Sequence, residues 1–127
     1  MDDEGLGSLS NYIGGRFVEH DGPNWMDVLE PATGTRFSIL PLSTTRDVDA
    51  AVEAAREAQP GWAALSMDDR AGWLDRIADS LESSFDEIAE LESRDTGKPI
   101  SLARAVDANR SVANFRFFAG LIREHEQ

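Results

Sequence analysis

The stretch ESRDTGKPI, residues 92–100, contains a Gly-Lys pair of the kind that ends a phosphate-gripping loop. Such a loop needs two glycines in the spacing G-x-x-x-x-G-K-[ST], because its backbone N–H groups wrap the phosphates and its final hydroxyl ligates magnesium. Here the place of the first glycine is taken by Glu92, whose carboxylate repels phosphate, and the place of the hydroxyl by Pro99. The same letters read better as a helix stop. Glycine just past a helix adopts the left-handed conformation that closes the last turn, and a proline soon after cannot continue that helix. Pro99 also suits the first turn of a new helix, where its missing N–H is no loss. A corner between two helices is therefore predicted at Gly97-Lys98-Pro99.

The other residues that could do chemistry are sparse. His20 and His125 are far apart in sequence, and neither has a second ligand-type residue at helical spacing, so each reads as a structural or solvent-exposed side chain. The acidic pairs Asp68-Asp69 and Asp86-Glu87 read as helix surface, with the first placed where a helix dipole favours acids. No G-x-S-x-G, H-E-x-x-H or G-x-G-x-x-G occurs. With no cysteine there is no disulfide, no thiolate metal site and no cysteine nucleophile in these residues. Read from residue types alone, the chain shows no active site.

A net charge of −12 and a pI near 4.4 argue against nucleic acid and anionic membranes, which demand a basic surface. Eleven of the twelve basic residues are arginine and Lys98 stands alone, a balance that fits a salt-rich cytoplasm or a strong codon bias. No apolar run approaches the roughly 18 residues of a membrane span, and MDDEGLGSLS carries acids where a secretory leader carries positive charge, so a cytoplasmic location is expected.

Elements follow from the pattern. Residues 1–10 read as a flexible acidic tail. Asn11–Ile13 and Arg16–Val18 are strand-like around Gly14-Gly15, a hairpin turn, and Trp25–Leu29 and Arg36–Leu40 are two more extended segments around PATG. These make a β region over 11–42. A helical region over 44–125 begins with Thr44 and Asp47 as a capping box, continues with Val48, Ala51, Val52, Ala55 and Ala58 on one face, and meets Pro60 as a stop. A second box, Ser66 with Asp69, opens a helix whose stripe of Trp73, Ile77, Leu81, Phe85 and Ile88 faces a partner. Its other side, part of a segment with ten acids and three arginines over 66–96, reads as solvated. A third helix, about Pro99 to Arg123, carries apolar residues around too much of its girth for a small fragment to cover.

In their order, NYIGGRFV, VLEPATG, DVDAAVEAAREAQPGWAALS, ELESRDTGKPI and NFRFFAGL resemble the N-terminal quarter of the aldehyde dehydrogenase superfamily, over about Asn11 to Glu126. RSVANFRFFA looks most similar to the branch acting on muconic semialdehydes. The resemblance implies an α/β fold: the N-terminal portion of a cofactor-binding domain, a small antiparallel β region followed by three α-helices. It implies oxidation of an aldehyde to an acid with NAD or NADP, by a cysteine thiolate that forms the hemithioacetal and a glutamate that activates water, in a homo-oligomer. The catalytic residues and the cofactor-contacting residues implied by the family have no counterparts in these 127 residues, so the chain alone is expected to be inactive. In some members main-chain carbonyls and an aspartate hold a monovalent cation; by motif these correspond to Val28, Leu29 and Asp95, with Glu30 where asparagine is common. The duller reading of Asp95 is hydrogen bonding to backbone N–H groups at the corner. The rival to the whole enzyme reading is a stand-alone acidic helical module that binds a protein partner, including a chain that supplies the rest of the fold.

Overall fold

The computed structural model describes residues 7–20 and 22–125. They form two compact units, Met1–Gly61 and Trp62–Gln127.

In the first unit, β2 (Asn11–Ile13) and β3 (Arg16–Val18) form an antiparallel hairpin. Its two-residue turn needs positive φ at both positions, and Gly14 and Gly15 supply 60° and 79°. β4 (Trp25–Glu30) pairs antiparallel with β5 (Thr35–Pro41), with a shift of register between Val28 and Leu29. The turn between them closes by a bond from Gly34 N to Glu30 O of 2.8 Å. β5 is central, because β1 (Gly7–Ser8) joins its other edge in parallel. Residues 7–9, within the tail expected over 1–10, are thus paired. Leu9 N donates to Ile39 O at 2.8 Å, and the buried Ser38 hydroxyl donates to Gly7 O, so backbone pairing holds residues that composition alone marks as free. The remainder of that tail, 1–6, lies outside the described residues.

Helix α1 (Thr45–Ala63) starts where the capping pattern places it: the Asp47 carboxylate accepts from Thr44 N at 2.6 Å and from its hydroxyl at 2.8 Å. Pro60 does not stop it. A proline forfeits the bond to the carbonyl four residues back, but only one turn remains to be held beyond it. Helix α1 buries none of its residues, and Val48 and Val52 stand exposed.

In the second unit, Ser66 caps α2 (Met67–Ser83), accepting from Asp69 N at 3.1 Å while donating to the Asp69 carboxylate at 2.7 Å. The single helix expected over 66–96 is two. Ser84 leaves helical geometry with φ −106° and ψ 19°, and α3 (Phe85–Thr96) starts again after it. Consecutive serines explain the break, since Ser83 turns its hydroxyl back onto Ser80 O at 2.8 Å and competes with the main chain. Gly97 closes α3 with φ 75° and donates its N–H to Ser93 O at 2.9 Å. Beyond Pro99, α4 (Ile100–Leu102), a π-helical turn (Ala103–Ala108) and α5 (Asn109–Glu124) run on as one rod. Among the described residues the helices form four rods, one more than expected.

Helix α5 packs antiparallel on α2, and the buried residues of this pair are small and seven apart: Ala71 and Ala78 on one side, Val112 and Ala119 on the other. Arginines on α5 straddle that seam. Arg116 reaches Glu82 at 2.6 Å and Asp79 at 3.0 Å, and Arg123 reaches Asp75 at 2.7 Å and Asp68 at 3.1 Å. Of the stripe expected to face a partner, Trp73 and Ile77 are exposed, Trp73 beneath the Arg76 guanidinium at 3.7 Å, while Leu81, Phe85 and Ile88 are half-buried.

Candidate functional site

The corner at 97–99 is held from both sides. The Ser93 hydroxyl donates to Lys98 O at 2.7 Å, and the Thr96 hydroxyl donates to Glu92 O at 2.6 Å. The Lys98 ammonium donates to Asp107 Oδ2 at 2.7 Å and to Glu92 Oε1 at 2.9 Å. These bonds, Asp107 first, hold the amine above its ordinary 10.5. A lysine committed to two carboxylates is not a phosphate ligand, and Glu92, which breaks the phosphate-loop spacing, is one of them.

The residues matched to the cation motif fall in different units. Val28 and Leu29 lie on β4, an edge strand, at the point where its register against β5 shifts. Such a shift disturbs the regular pairing of main-chain groups, and an edge strand presents one row of them outward. Asp95 lies in the last turn of α3, exposed, and its carboxylate accepts no hydrogen bond from another described residue. Each donor by itself is an oxygen suited to a hard cation.

The histidines take no part in a cluster. His20 bonds Asn24 O at 3.0 Å and meets the Trp25 ring edge to face at 4.9 Å, while His125 is exposed at the end of α5. Among the described residues no three His, Cys, Asp or Glu side chains come together to hold a metal, and no helix is long and apolar enough to cross a membrane.

The largest chemical feature is what stays uncovered. The buried apolar side chains are Ala71, Ala78, Ala89, Ala103, Ala108 and Ala119 with Val112, whereas Phe117 is 64% exposed, Phe118 52% and Trp73 47%. Arg70 Nε is buried with no hydrogen-bond partner among the described residues. Small residues fill the fully buried positions, while several large apolar groups stand at the surface.

Residues 17–127 match the model of the aldehyde dehydrogenase family. The chain is 46% identical over 121 residues to 2-aminomuconic semialdehyde dehydrogenase of Bos taurus, covering 95% of this chain and 24% of that protein. Its structure is similar to that of lactaldehyde dehydrogenase from Escherichia coli, with a TM-score of 0.89 and 33% identity over 93% of this chain and 24% of that one. It is also similar to PnpE in complex with nicotinamide adenine dinucleotide, with a TM-score of 0.84 and 39% identity over 88% and 23%. The chain thus spans about a quarter of the length of the relatives it matches.

Proposed function

The chain belongs to the aldehyde dehydrogenase family, and from that premise we propose that it is the N-terminal segment of an NAD(P)-dependent enzyme oxidising an aldehyde to a carboxylic acid. The observation that carries this reading is the pairing of a nearly chain-wide structural match with coverage of only 24% of the matched protein. In this reading Phe117, Phe118 and Trp73 pack against the remainder of the dehydrogenase fold, supplied by the same chain or by a partner chain. That burial is worth about 25 cal/mol for each Å² of apolar surface covered.

NAD or NADP, when bound, accepts the hydride of the oxidation. The residues of this segment do other work. Their helices carry the apolar faces on which the rest of the fold is laid, and their corner at 97–99 is fixed by Lys98. A monovalent cation held by the main-chain carbonyls of Val28 and Leu29 and by Asp95 belongs to the same proposal, since each donor fits a hard cation. The identity with 2-aminomuconic semialdehyde dehydrogenase supports an aldehyde that also bears a carboxylate as substrate. The proposal extends to a cytoplasmic homo-oligomer as the assembled enzyme.

The 127 residues contain no cysteine to attack an aldehyde, so the chain alone is assigned no turnover. Incubating it with NAD or NADP and an aldehyde should give no reduced cofactor, and aldehyde-dependent reduction by the purified chain would overturn that assignment. The rival reading, a non-catalytic module that binds a protein partner, draws support from the second unit, which packs α2 on α5 with its own buried seam and charge pairs. Dye binding and melting separate the two. A severed segment binds a hydrophobic dye strongly and melts broadly, whereas an independent module melts in one sharp transition with little dye bound.

A further inference from the structure

We propose that the Lys98 clamp is a register lock: it holds residues 103–108 in the π turn and thereby sets which face α5 turns inward. A π turn is rare and persists where something compensates for it. Here the gain in burial is visible. Ala103 and Ala108 are 0% and 2% exposed, yet in a regular α-helix two residues five apart point about 140° away from each other. Bonding from each residue to the fifth along brings them to one side. From Ala108 onward the buried residues, Val112 and Ala119, follow at four and seven, the ordinary α-helical stripe. The extra residue lets Ala103 and the α5 seam share one buried side.

The charges that face this turn tie it to α3. Lys98, at the corner, bridges Glu92 on α3 and Asp107 within the turn, and Arg104 within the turn pairs with Asp86 at the start of α3. Relaxing 103–108 to an α-helix rotates the rod by about 100° per residue displaced and carries Asp107 away from the Lys98 ammonium. The pairing and the π geometry therefore require each other.

The test uses Lys98→Met, Lys98→Arg and deletion of Ala105, an exposed residue of the turn, in the 127-residue chain. Couplings across backbone hydrogen bonds, read by NMR, report π or α pairing at 103–108. Lys98→Met should replace the π pattern with an α pattern and lower the melting midpoint by about 5 °C, while Lys98→Arg should keep most of both. Removing the extra residue makes a regular helix with α5 in its original phase, so deletion of Ala105 in the Lys98→Met background should restore the midpoint, or restore folding where Lys98→Met alone fails to fold. A π pattern that survives Lys98→Met, or a deletion whose damage adds to that of Lys98→Met, would overturn the proposal.

Discussion

Glu92 Oε1 stands 2.9 Å from the Lys98 ammonium, so the residue that spoils the phosphate-loop spacing is also one that keeps the lysine occupied. Amine-reactive esters attack only the neutral amine, and Lys98 is held protonated by Asp107 and Glu92. Lys98 should acylate slowly at mildly alkaline pH, and the double variant Glu92→Gln, Asp107→Asn should acylate faster. Peptide mass mapping over a time course reads this; equal rates in the two proteins would remove the clamp from the account.

The helix starts give a second expectation. Ser66 satisfies the Asp69 N–H that has no partner within α2. Replacing a serine cap by alanine costs about 1 kcal/mol, so Ser66→Ala should lower stability by that much in urea titration with little change in slope. A variant as stable as the parent would show that the cap is idle.

Gly97 is the sharpest backbone requirement. Its φ of 75° is a region where a Cβ costs about 1 kcal/mol or more, and asparagine tolerates it better than alanine. Gly97→Ala should therefore destabilise the chain more than Gly97→Asn. The reverse order in thermal melts would contradict the left-handed closure of α3.

Acid should release the first helix. Asp47 is held below its ordinary 3.8, chiefly by the Thr44 backbone N–H and then by the Thr44 hydroxyl. A carboxylate whose folded pKa is depressed contributes its stability above the unfolded value and loses it as pH falls through the folded one. The gap in melting midpoint between the parent and Asp47→Asn should thus be constant above pH 3.8 and close below it. A gap that does not change across that window would rule out Asp47 as the group responsible.

What the sequence discloses depends on how local the signal is. The Gly14-Gly15 hairpin, both capping pairs and the Gly97 stop each rest on residues within four positions of one another, and the structure places them where the pattern does. The strand at Gly7–Ser8 escapes notice because its partner is Ser38–Ile39, and nothing in two small residues announces a distant pairing. The break at Ser84 is hidden by an apolar stripe that crosses it without interruption.

The α2·α5 seam was legible by a signal the stripe concealed. Asp68, Asp75 and Glu82 recur at seven, as do Arg116 and Arg123, and the structure pairs the two series across the helices. Reading those acids as a plain solvated face overlooks the complementary spacing, although exposed pairs of this kind set orientation more than they add stability. Asp107 gave no such sign, because its reach to Lys98 depends on a π turn that no periodicity predicts. Of the residues matched to the cation motif, sequence alone marks Asp95 by the D-T-G-K corner, and the main-chain donors at Val28 and Leu29 carry no side-chain signature at all.

The most direct measurement of the central claim is turnover by a hybrid enzyme. Residues 11–127 would replace the matching quarter of the Bos taurus 2-aminomuconic semialdehyde dehydrogenase, and cofactor reduction would be followed with that enzyme's own substrate. If this chain is a working segment of the dehydrogenase fold, the hybrid turns over within roughly tenfold of the parent, about 1.4 kcal/mol of barrier. A soluble, folded hybrid that binds cofactor and yields no product would contradict it.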